Sequence, residues 1–218
     1  MPPENKPNEI KKKSIVREYA EALIVAVVLA LVIRTFIVQA FKIPSGSMLE
    51  TLQIGDHILV NKFIYYFTDP KRGDIIVFKY PENPSRDFIK RVIGLPGETL
   101  QVKDQVVYIN GQPLSEAYTC HELGIDPELF IRPRDNFGPV TIPQNQYFMM
   151  GDNRDSSMDS RYWGALKNDM IRGKAFVIYW SIAPVIYRSE PALMEKIGGY
   201  FVKLPSRIRW QRFGKLIH

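Results

Sequence analysis

The sequence predicts a mostly β domain preceded by one membrane-spanning helix. From residue 54 onward, short apolar stretches alternate with turn residues at even spacing, which is the pattern of a mostly β domain. Before that point, a largely apolar stretch covers residues 22–41, which is long enough to cross a ~30 Å hydrocarbon core as a helix. The hydrophobic fraction of 45% and the charged fraction of 24% indicate a folded rather than a disordered chain.

The charge distribution and the cysteine count limit which partners and which kinds of cysteine site this chain can have. The net charge is +6, and the excess lies at the two ends of the chain rather than in a stripe with nucleic-acid motifs. This distribution favours anionic membrane lipid over nucleic acid as the partner. Cys120 is the single cysteine, which excludes an internal disulfide and a cysteine-cluster zinc site.

The first element is the predicted anchor at residues 22–41. It contains Arg34, and an arginine at the helix centre costs ~2.5–3.5 kcal/mol, while each large aliphatic or Phe residue returns ~0.3–0.6. Arg34 lies past the midpoint and can snorkel toward the headgroups, so the summed apolar residues favour a span. The lysines at 11–13 precede it, which predicts a cytoplasmic segment 1–21 and an extracytoplasmic remainder.

A cleaved signal peptide is the alternative for this stretch, since it also combines a charged start with an apolar core. No small-x-small cleavage site closes the run, and the sequence FKIPSG follows instead. We therefore prefer an uncleaved anchor.

The remaining elements are short strands. The second predicted strand is ended by prolines at 81 and 84, residues 95–98 form a type II turn, and Asn110-Gly111 marks a two-residue hairpin. Residues 113–134 lack periodicity and are predicted to be a surface excursion. The predicted strands lie at residues 57–63, 75–80, 87–93, 106–109, 146–150 and 174–180.

The C-terminal residues 191–218 are basic and interspersed with aromatic side chains. Such a tail can lie on anionic lipid, or it can be an ordinary solvated terminus. The sequence leaves these two alternatives open.

A candidate nucleophile follows the predicted anchor. Residues 45–47 read Ser-Gly-Ser, and Ser47 lies six residues past the end of the predicted span. A nucleophilic serine needs a base. The histidines at 57, 121 and 218 are poorly placed for that role, and no Gly-x-Ser-x-Gly nucleophile elbow is present.

Lys90 is the better candidate for the base. Strand alternation places it on one face with Phe88 and Val92. Burial among apolar side chains disfavours the charged amine and can lower the pKa of a lysine by ~3–5 units. A neutral amine can take the proton of a serine hydroxyl. From the residues alone, an ordinary snorkelling lysine on a strand is the simpler alternative.

Residues 151–164, GDNRDSSMDSRYWG, carry three aspartates. A calcium loop is one interpretation, but the EF-hand spacing fails because Arg154 stands at the third position and no glycine stands at the sixth. We prefer a hydrogen-bonded turn whose carboxylates pair with Arg154 and Arg161, with no metal and no other cofactor.

Five motifs resemble, in order, those of bacterial signal peptidase I: IPSGSMLETL (43–52), GDHILVNKF (55–63), RGDIIVFKYP (72–81), DFIKRVIGLPGE (87–98) and GDNRDSSMDSRYWG (151–164). The resemblance extends from about the anchor to Trp180. It implies a signal-peptidase-like β domain in a single-pass protein of the bacterial cytoplasmic membrane. It also implies a serine endopeptidase that removes signal peptides from exported proteins.

The resemblance also implies roles for individual residues. Ser47 matches the nucleophile, Lys90 the general base, and Ser45 a hydroxyl of the oxyanion hole. Ser157 matches the serine that orients the lysine. Supporting ion pairs are implied for Asp159 with Arg161 and for Arg91 with Asp152. The implied substrate-binding positions are Phe41, Ile43, Pro44, Met48, Leu52, Ile58, Val77, Asp87, Phe88 and Ile89.

The predicted organisation is a cytoplasmic segment 1–21, an anchor 22–41, an extracytoplasmic catalytic β domain 42–190 and a basic tail 191–218. The expected partners are signal peptides and membrane lipid. Two features depart from some family members, since a single cysteine cannot form their disulfide and no second span is present. A related peptidase with one dedicated client and a non-catalytic anchored β binding module are the alternative functions.

Overall fold

The computed structural model describes residues 15–121, 135–184 and 204–218. The chain forms two compact units, Met1–Ile37 and Val38–His218, which we call the helical unit and the β unit. Predictions for residues 1–14, for residues 122–134 of the excursion and for residues 185–203 lie outside the described residues.

The helical unit contains helix α1 (Ile15–Val32), which continues as a π-helical turn over Ile33–Ile37. This apolar helix of 23 residues is long enough to cross a membrane, and none of its residues is buried. The span was predicted at residues 22–41. The helix begins earlier, at Ile15, and it ends earlier because Val38–Lys42 form a strand instead. An apolar run suits either a helix or a strand, and only pairing with a second strand decides between them.

The β unit is built from antiparallel strands. In chain order they are β1 (Val38–Lys42), β2 (Asp56–Asn61), β3 (Ile75–Tyr80), β4 (Asn83–Gly94), β5 (Thr99–Lys103), β6 (Val106–Ile109), β7 (Gln112–Pro113), β8 (Phe137–Thr141), β9 (Gln146–Met150), β10 (Leu166–Lys167), β11 (Ile171–Ser181) and β12 (Lys215–Leu216). The larger sheet has the order β1-β2-β11-β3-β4-β9-β10, with β12 paired to β11, and the smaller sheet has the order β7-β6-β5-β8. The mostly β fold class is therefore confirmed.

Most predicted strands and turns are confirmed. Strands β3 and β9 have the predicted bounds. Gly97 has a φ of +81°, as a type II turn requires, while Asn110 and Gly111 have φ values of +51° and +79°, as a type I′ hairpin requires. Strand β4 starts earlier than predicted, with Pro84 in its exposed first residues. Proline is tolerated there because an exposed strand end does not need its N–H.

Three apolar clusters form the core of the β unit, and alternation along β4 distributes its side chains among them. Ile89 packs with the first cluster, around Met48 and Leu52, whereas Phe88 and Val92 belong to the third. Ile93 belongs to the second, beneath the smaller sheet. The predicted faces of the Lys90 strand are thereby confirmed.

Residues 204–218 are part of the β unit. They form a short helical turn (Leu204–Arg207), a 3-10 turn (Trp210–Arg212) and strand β12. Arg212 and Ile217 are each only 6% exposed, and Ile217 packs with the first core cluster. This described part of the predicted tail is therefore not an ordinary solvated terminus, because its arginines have partners inside the protein. Contact of the tail with lipid stays a prediction, and Trp210 and Leu216 are exposed on this segment.

Candidate active site

Ser47 lies in the connection between β1 and β2, which is closed at its base by the main chain. The Ile43 N–H donates to the Asp56 carbonyl at 2.8 Å, so the connection is a closed loop. The Asn153 N–H donates to the Ser47 carbonyl at 3.2 Å, and the Asn153 side chain donates to the Gly46 carbonyl at 3.4 Å. The main chain of Ser47 is therefore attached to the 151–164 turn.

Lys90 projects from β4 toward Ser47. Its Nζ lies 2.5 Å from the Ser47 Oγ, and the two residues are 4% and 7% exposed. The Phe88 ring is also close, with its centroid 5.6 Å from the Lys90 Nζ. The serine and the lysine proposed from the sequence are thus within direct hydrogen-bonding distance in a nearly dry environment.

Burial lowers the pKa of Lys90 to about 8. The Asp159 charge raises it and the Arg161 charge lowers it, so these two charges act in opposite directions. Among the described residues, no carboxylate forms an ion pair with Lys90. Without such a partner, desolvation dominates and favours the neutral amine.

The nearby carboxylates are held by arginines. Arg91 binds Asp152 in a bidentate pair, with Nε–Oδ1 at 2.8 Å and Nη2–Oδ2 at 2.7 Å. Arg161 binds Asp159 in the same way, with both distances at 2.9 Å. Burial by itself would raise the pKa of Asp159, but the charge and hydrogen bonds of Arg161 lower it below its usual value. Each of the two carboxylates is therefore paired with its own arginine within the site.

The other charged groups of the 151–164 turn are paired differently from the prediction. Arg154 binds Glu116 from outside the turn, rather than one of the turn's aspartates. Asp155 lies 3.3 Å from the His121 Nδ1. Each aspartate of this turn therefore has a side-chain partner of its own, which agrees with a hydrogen-bonded turn rather than a cation loop.

Ser157 and Ser45 are the two further serines that the resemblance implies for the site. Ser157 is buried, at 1% exposed, and the implied hydrogen bond between its Oγ and Lys90 is not formed. Gly151 leaves room for it, because a Cβ at Gly151 would lie 2.3 Å from the Ser157 Oγ and 2.5 Å from the Ser47 carbonyl oxygen. Ser45 is exposed and precedes the nucleophile candidate by two residues.

The implied substrate-binding residues are only partly brought together. One group packs in a single cluster and comprises Phe41, Ile43, Met48, Leu52, Ile58, Val77 and Ile89. Phe88 packs in a different cluster. Pro44 and Asp87 are exposed, and Asp87 lies 3.5 Å from Arg172. Leu52 and Ile58 are fully buried, so they can support a pocket from beneath but have no surface to offer a ligand.

Sequence reasoning missed several residues of this site. The Thr51 Oγ1 donates to the Asp152 carboxylate at 2.5 Å, and its only sequence signal is its place four residues after Ser47. The main chain of Cys120 pairs with the 151–164 turn, since its N–H donates to the Asp152 carbonyl at 2.8 Å. That contact is long-range and had no signal in the sequence.

Comparisons with known proteins agree on one family. A family profile described as "Signal peptidase, peptidase S26" matches residues 16–180. A probable signal peptidase I-2 of Synechocystis is 39% identical over 185 residues, covering 83% of this chain and 80% of that protein. A signal peptidase I of Leptolyngbya laminosa is 44% identical over 179 residues, covering 79% and 83%. A crystal structure of a signal peptidase I from Enterococcus faecalis is 37% identical and covers 49% of this chain and 97% of its own, with a TM-score of 0.40.

The buried ion pair of Asp159 supplies a stability prediction. Asp159→Asn keeps the side-chain shape but leaves Arg161 charged and buried, so we expect a loss of ~3–5 kcal/mol in the free energy of unfolding. Asp87→Asn is the matched control, because the side chains of Asp87 and its partner Arg172 are 30% and 43% exposed, and we expect a loss of ~0–1 kcal/mol. Denaturant unfolding of the full chain in detergent measures both, and equal losses would contradict the assignment.

Proposed function

The chain belongs to the signal peptidase, peptidase S26, family, and we propose that it cleaves its substrates with Ser47 as nucleophile and Lys90 as general base. It is a serine endopeptidase that removes signal peptides from exported proteins. The observation that carries the residue assignment is the 2.5 Å separation of the Lys90 Nζ from the Ser47 Oγ, both buried.

Proton transfer follows from this geometry. In its neutral form, Lys90 accepts the hydrogen bond of the Ser47 hydroxyl and takes the proton as the oxygen attacks the substrate carbonyl carbon. The resulting ammonium then gives the proton to the leaving amine of the mature protein. In the second half, Lys90 takes a proton from water, and the resulting hydroxide attacks the acyl-enzyme carbonyl carbon. The bond from that carbon to the Ser47 Oγ breaks, and the Lys90 ammonium returns the proton to Oγ, which releases the signal peptide and restores both Ser47 and the neutral amine.

The attacked carbonyl oxygen becomes an oxyanion that needs hydrogen-bond donors. We assign the Ser47 N–H and the Ser45 hydroxyl to this role. The Ser47 N–H shares its planar peptide group with the Gly46 carbonyl, and that carbonyl accepts from the Asn153 side chain at 3.4 Å, which supports a fixed direction for the N–H. One such donor contributes ~2.7–4 kcal/mol to transition-state stabilisation in acyl transfer.

The supporting residues hold the charge balance of the site. The pairs of Asp152 with Arg91 and of Asp159 with Arg161 keep both carboxylates from binding Lys90, so its pKa stays depressed. Ser157 lies next to Gly151 with a buried hydroxyl, and we assign it to the ammonium form of Lys90 as a hydrogen-bond partner. No step of this chemistry calls for a metal or another cofactor.

The substrate residues before the scissile bond are assigned to the apolar cluster beneath Ser47. Phe41 and Ile89 are partly buried members of this cluster and offer the substrate an apolar surface, while the fully buried Leu52 and Ile58 support that surface from beneath. A shallow apolar surface fits the small-x-small sites at which signal peptides end. Pro44 and Asp87, which are exposed, are assigned to the rim.

The family is membrane-anchored, and helix Ile15–Ile37 fits that anchor. We assign the β unit to the extracytoplasmic side of the bacterial cytoplasmic membrane, because the lysines at 11–13 precede the helix and lysine-rich flanks remain cytoplasmic. Signal peptides emerge with their cleavage sites at that surface. A nucleophile that follows the anchor closely in sequence meets them there. A binding module would gain nothing from a desolvated lysine, so the site geometry favours catalysis.

Substitution of the two reacting groups tests the assignment. Ser47→Ala removes the nucleophile, and Lys90→Met removes the base at similar volume, so we expect turnover to fall by ~10²–10⁴-fold or more for each. Lys103→Met is the control, since it removes an exposed lysine from the smaller sheet. The assay is cleavage of a purified preprotein by the full-length enzyme in detergent, with the product identified by its N-terminal sequence. Near-normal cleavage by folded Ser47→Ala would refute the proposal.

The rate of cleavage is expected to depend on pH through Lys90. Below its pKa of about 8 the amine is protonated and cannot accept the Ser47 proton, so kcat/KM rises about tenfold per pH unit and levels off above that value. Steady-state kinetics from pH 5.5 to 9.5, within roughly two units of that pKa, measure this rise. A flat profile, or one that falls with pH, would exclude a neutral lysine as the base.

A further inference from the structure

Residues 204–218 contact the loop that carries Ser47. Arg212 donates to Asp56 through Nε at 3.0 Å and Nη2 at 2.6 Å, and its Nη2 also donates to the Thr51 carbonyl at 2.9 Å. Asp56 is completely buried, and its main chain closes the loop by accepting from the Ile43 N–H. Arg212 therefore neutralises the residue at the base of the Ser47 loop and holds the loop at Thr51.

The same segment contacts the strand that carries Lys90. The residue after Lys90, Arg91, donates through Nη1 to the main-chain oxygen of His218 at 3.0 Å. Arg91 also donates through Nη2 to the Thr51 Oγ1 at 3.2 Å. Thr51 thus accepts one hydrogen bond from Arg91 at its side-chain hydroxyl and one from Arg212 at its carbonyl.

Apolar packing fixes this segment in place. Strand β12 pairs with β11, with Val177 opposite Leu216 and Ile178 opposite Lys215. The Ile217 side chain is 6% exposed and belongs to the same cluster as Met48 and Leu52, which flank Thr51 in the Ser47 loop. The segment is therefore hydrogen-bonded to the Ser47 loop and to Arg91, the residue after Lys90, and it is packed against the Ser47 loop.

We propose that residues 204–218 form a clamp that positions Ser47 against Lys90, with Arg212 holding the Ser47 loop and the end of the chain holding Arg91. Arg212 is a positioning residue in this scheme, since it touches neither substrate nor the reacting atoms. The proposal rests on the assignment of Ser47 and Lys90 as the reacting pair. It gives Arg212 an intramolecular function as the partner of Asp56 and of the Thr51 carbonyl.

The test compares Arg212→Gln with Arg212→Lys and with Lys215→Gln in the full-length enzyme. Lys215→Gln removes one exposed charge from the same segment without touching the clamp, so it controls for charge. A displaced loop lowers the rate of the chemical step, so we expect Arg212→Gln to lower kcat by ~10-fold to ~100-fold with little change in KM. Arg212→Lys keeps the charge opposite Asp56 and is expected to restore part of kcat. Lys215→Gln is expected to behave as wild type.

Thermal unfolding of each variant separates positioning from folding, because kcat is compared per folded enzyme. A folded Arg212→Gln enzyme with wild-type kcat would overturn the proposal, as would a loss that matches the unfolded fraction. If Arg212→Gln does not fold, Arg212→Lys decides, since it keeps the buried charge but loses the planar two-nitrogen contact of Nε and Nη2 with Asp56. Wild-type kcat in folded Arg212→Lys would then overturn the proposal.

A second pair of variants tests the other contact of the clamp. Deletion of His218 alone removes the acceptor of Arg91 and leaves Arg212 and the core residue Ile217 in place, whereas His218→Ala keeps the main-chain oxygen. We expect the deletion to lower kcat and His218→Ala to leave it unchanged, and equal kcat in the two folded variants would contradict the clamp. Ser47→Ala in the same assay checks the underlying assignment separately, because its inactivity does not depend on residues 204–218.

Discussion

The structure depends on keeping one buried lysine without a charged partner. Lys90 lies beside Ser47, and any free carboxylate nearby would form an ion pair with it and raise its pKa. Asp152 and Asp159 are close enough to affect that pKa, yet each is bound in a bidentate pair by its own arginine. Because Arg91 and Arg161 pair with these carboxylates, burial remains the largest influence on the pKa of Lys90.

The fold brings three distant parts of the chain together around Ser47 and Lys90. The proposed nucleophile, Ser47, comes from the loop after β1, the proposed base, Lys90, from β4, and the paired carboxylates from the 151–164 turn. One main-chain and one side-chain hydrogen bond from Asn153 fix the Ser47 loop to that turn. Because these contacts are buried, small displacements of the 2.5 Å pair are resisted by packing as well as by hydrogen bonds.

Local features of the sequence predicted much of this fold, and long-range contacts account for what was missed. Alternation identified the face of β4 that carries Lys90, and the Asn110-Gly111 pair identified its hairpin, because both patterns act over a few residues. The end of the predicted anchor was misplaced because residues 38–41, VQAF, continue the largely apolar run, and their strand conformation depends on pairing with β2. The partner of Arg154 is Glu116, and that of Arg212 is Asp56, neither of which local patterning reveals. The motifs identified the candidate residues, whereas their distances and charge partners required the folded chain.

The protonation of Lys90 is the central claim, and it can be observed without substrate. The measurement is the ¹⁵N NMR titration of the Lys90 Nζ in full-length enzyme carrying labelled lysine, assigned by comparison with Lys90→Met. A midpoint near the pKa of about 8 is predicted, with the neutral amine dominant above it. A midpoint near ~10.4, the usual pKa of a solvated lysine, would contradict the account, because Lys90 would then be charged under the conditions in which it must act as a base.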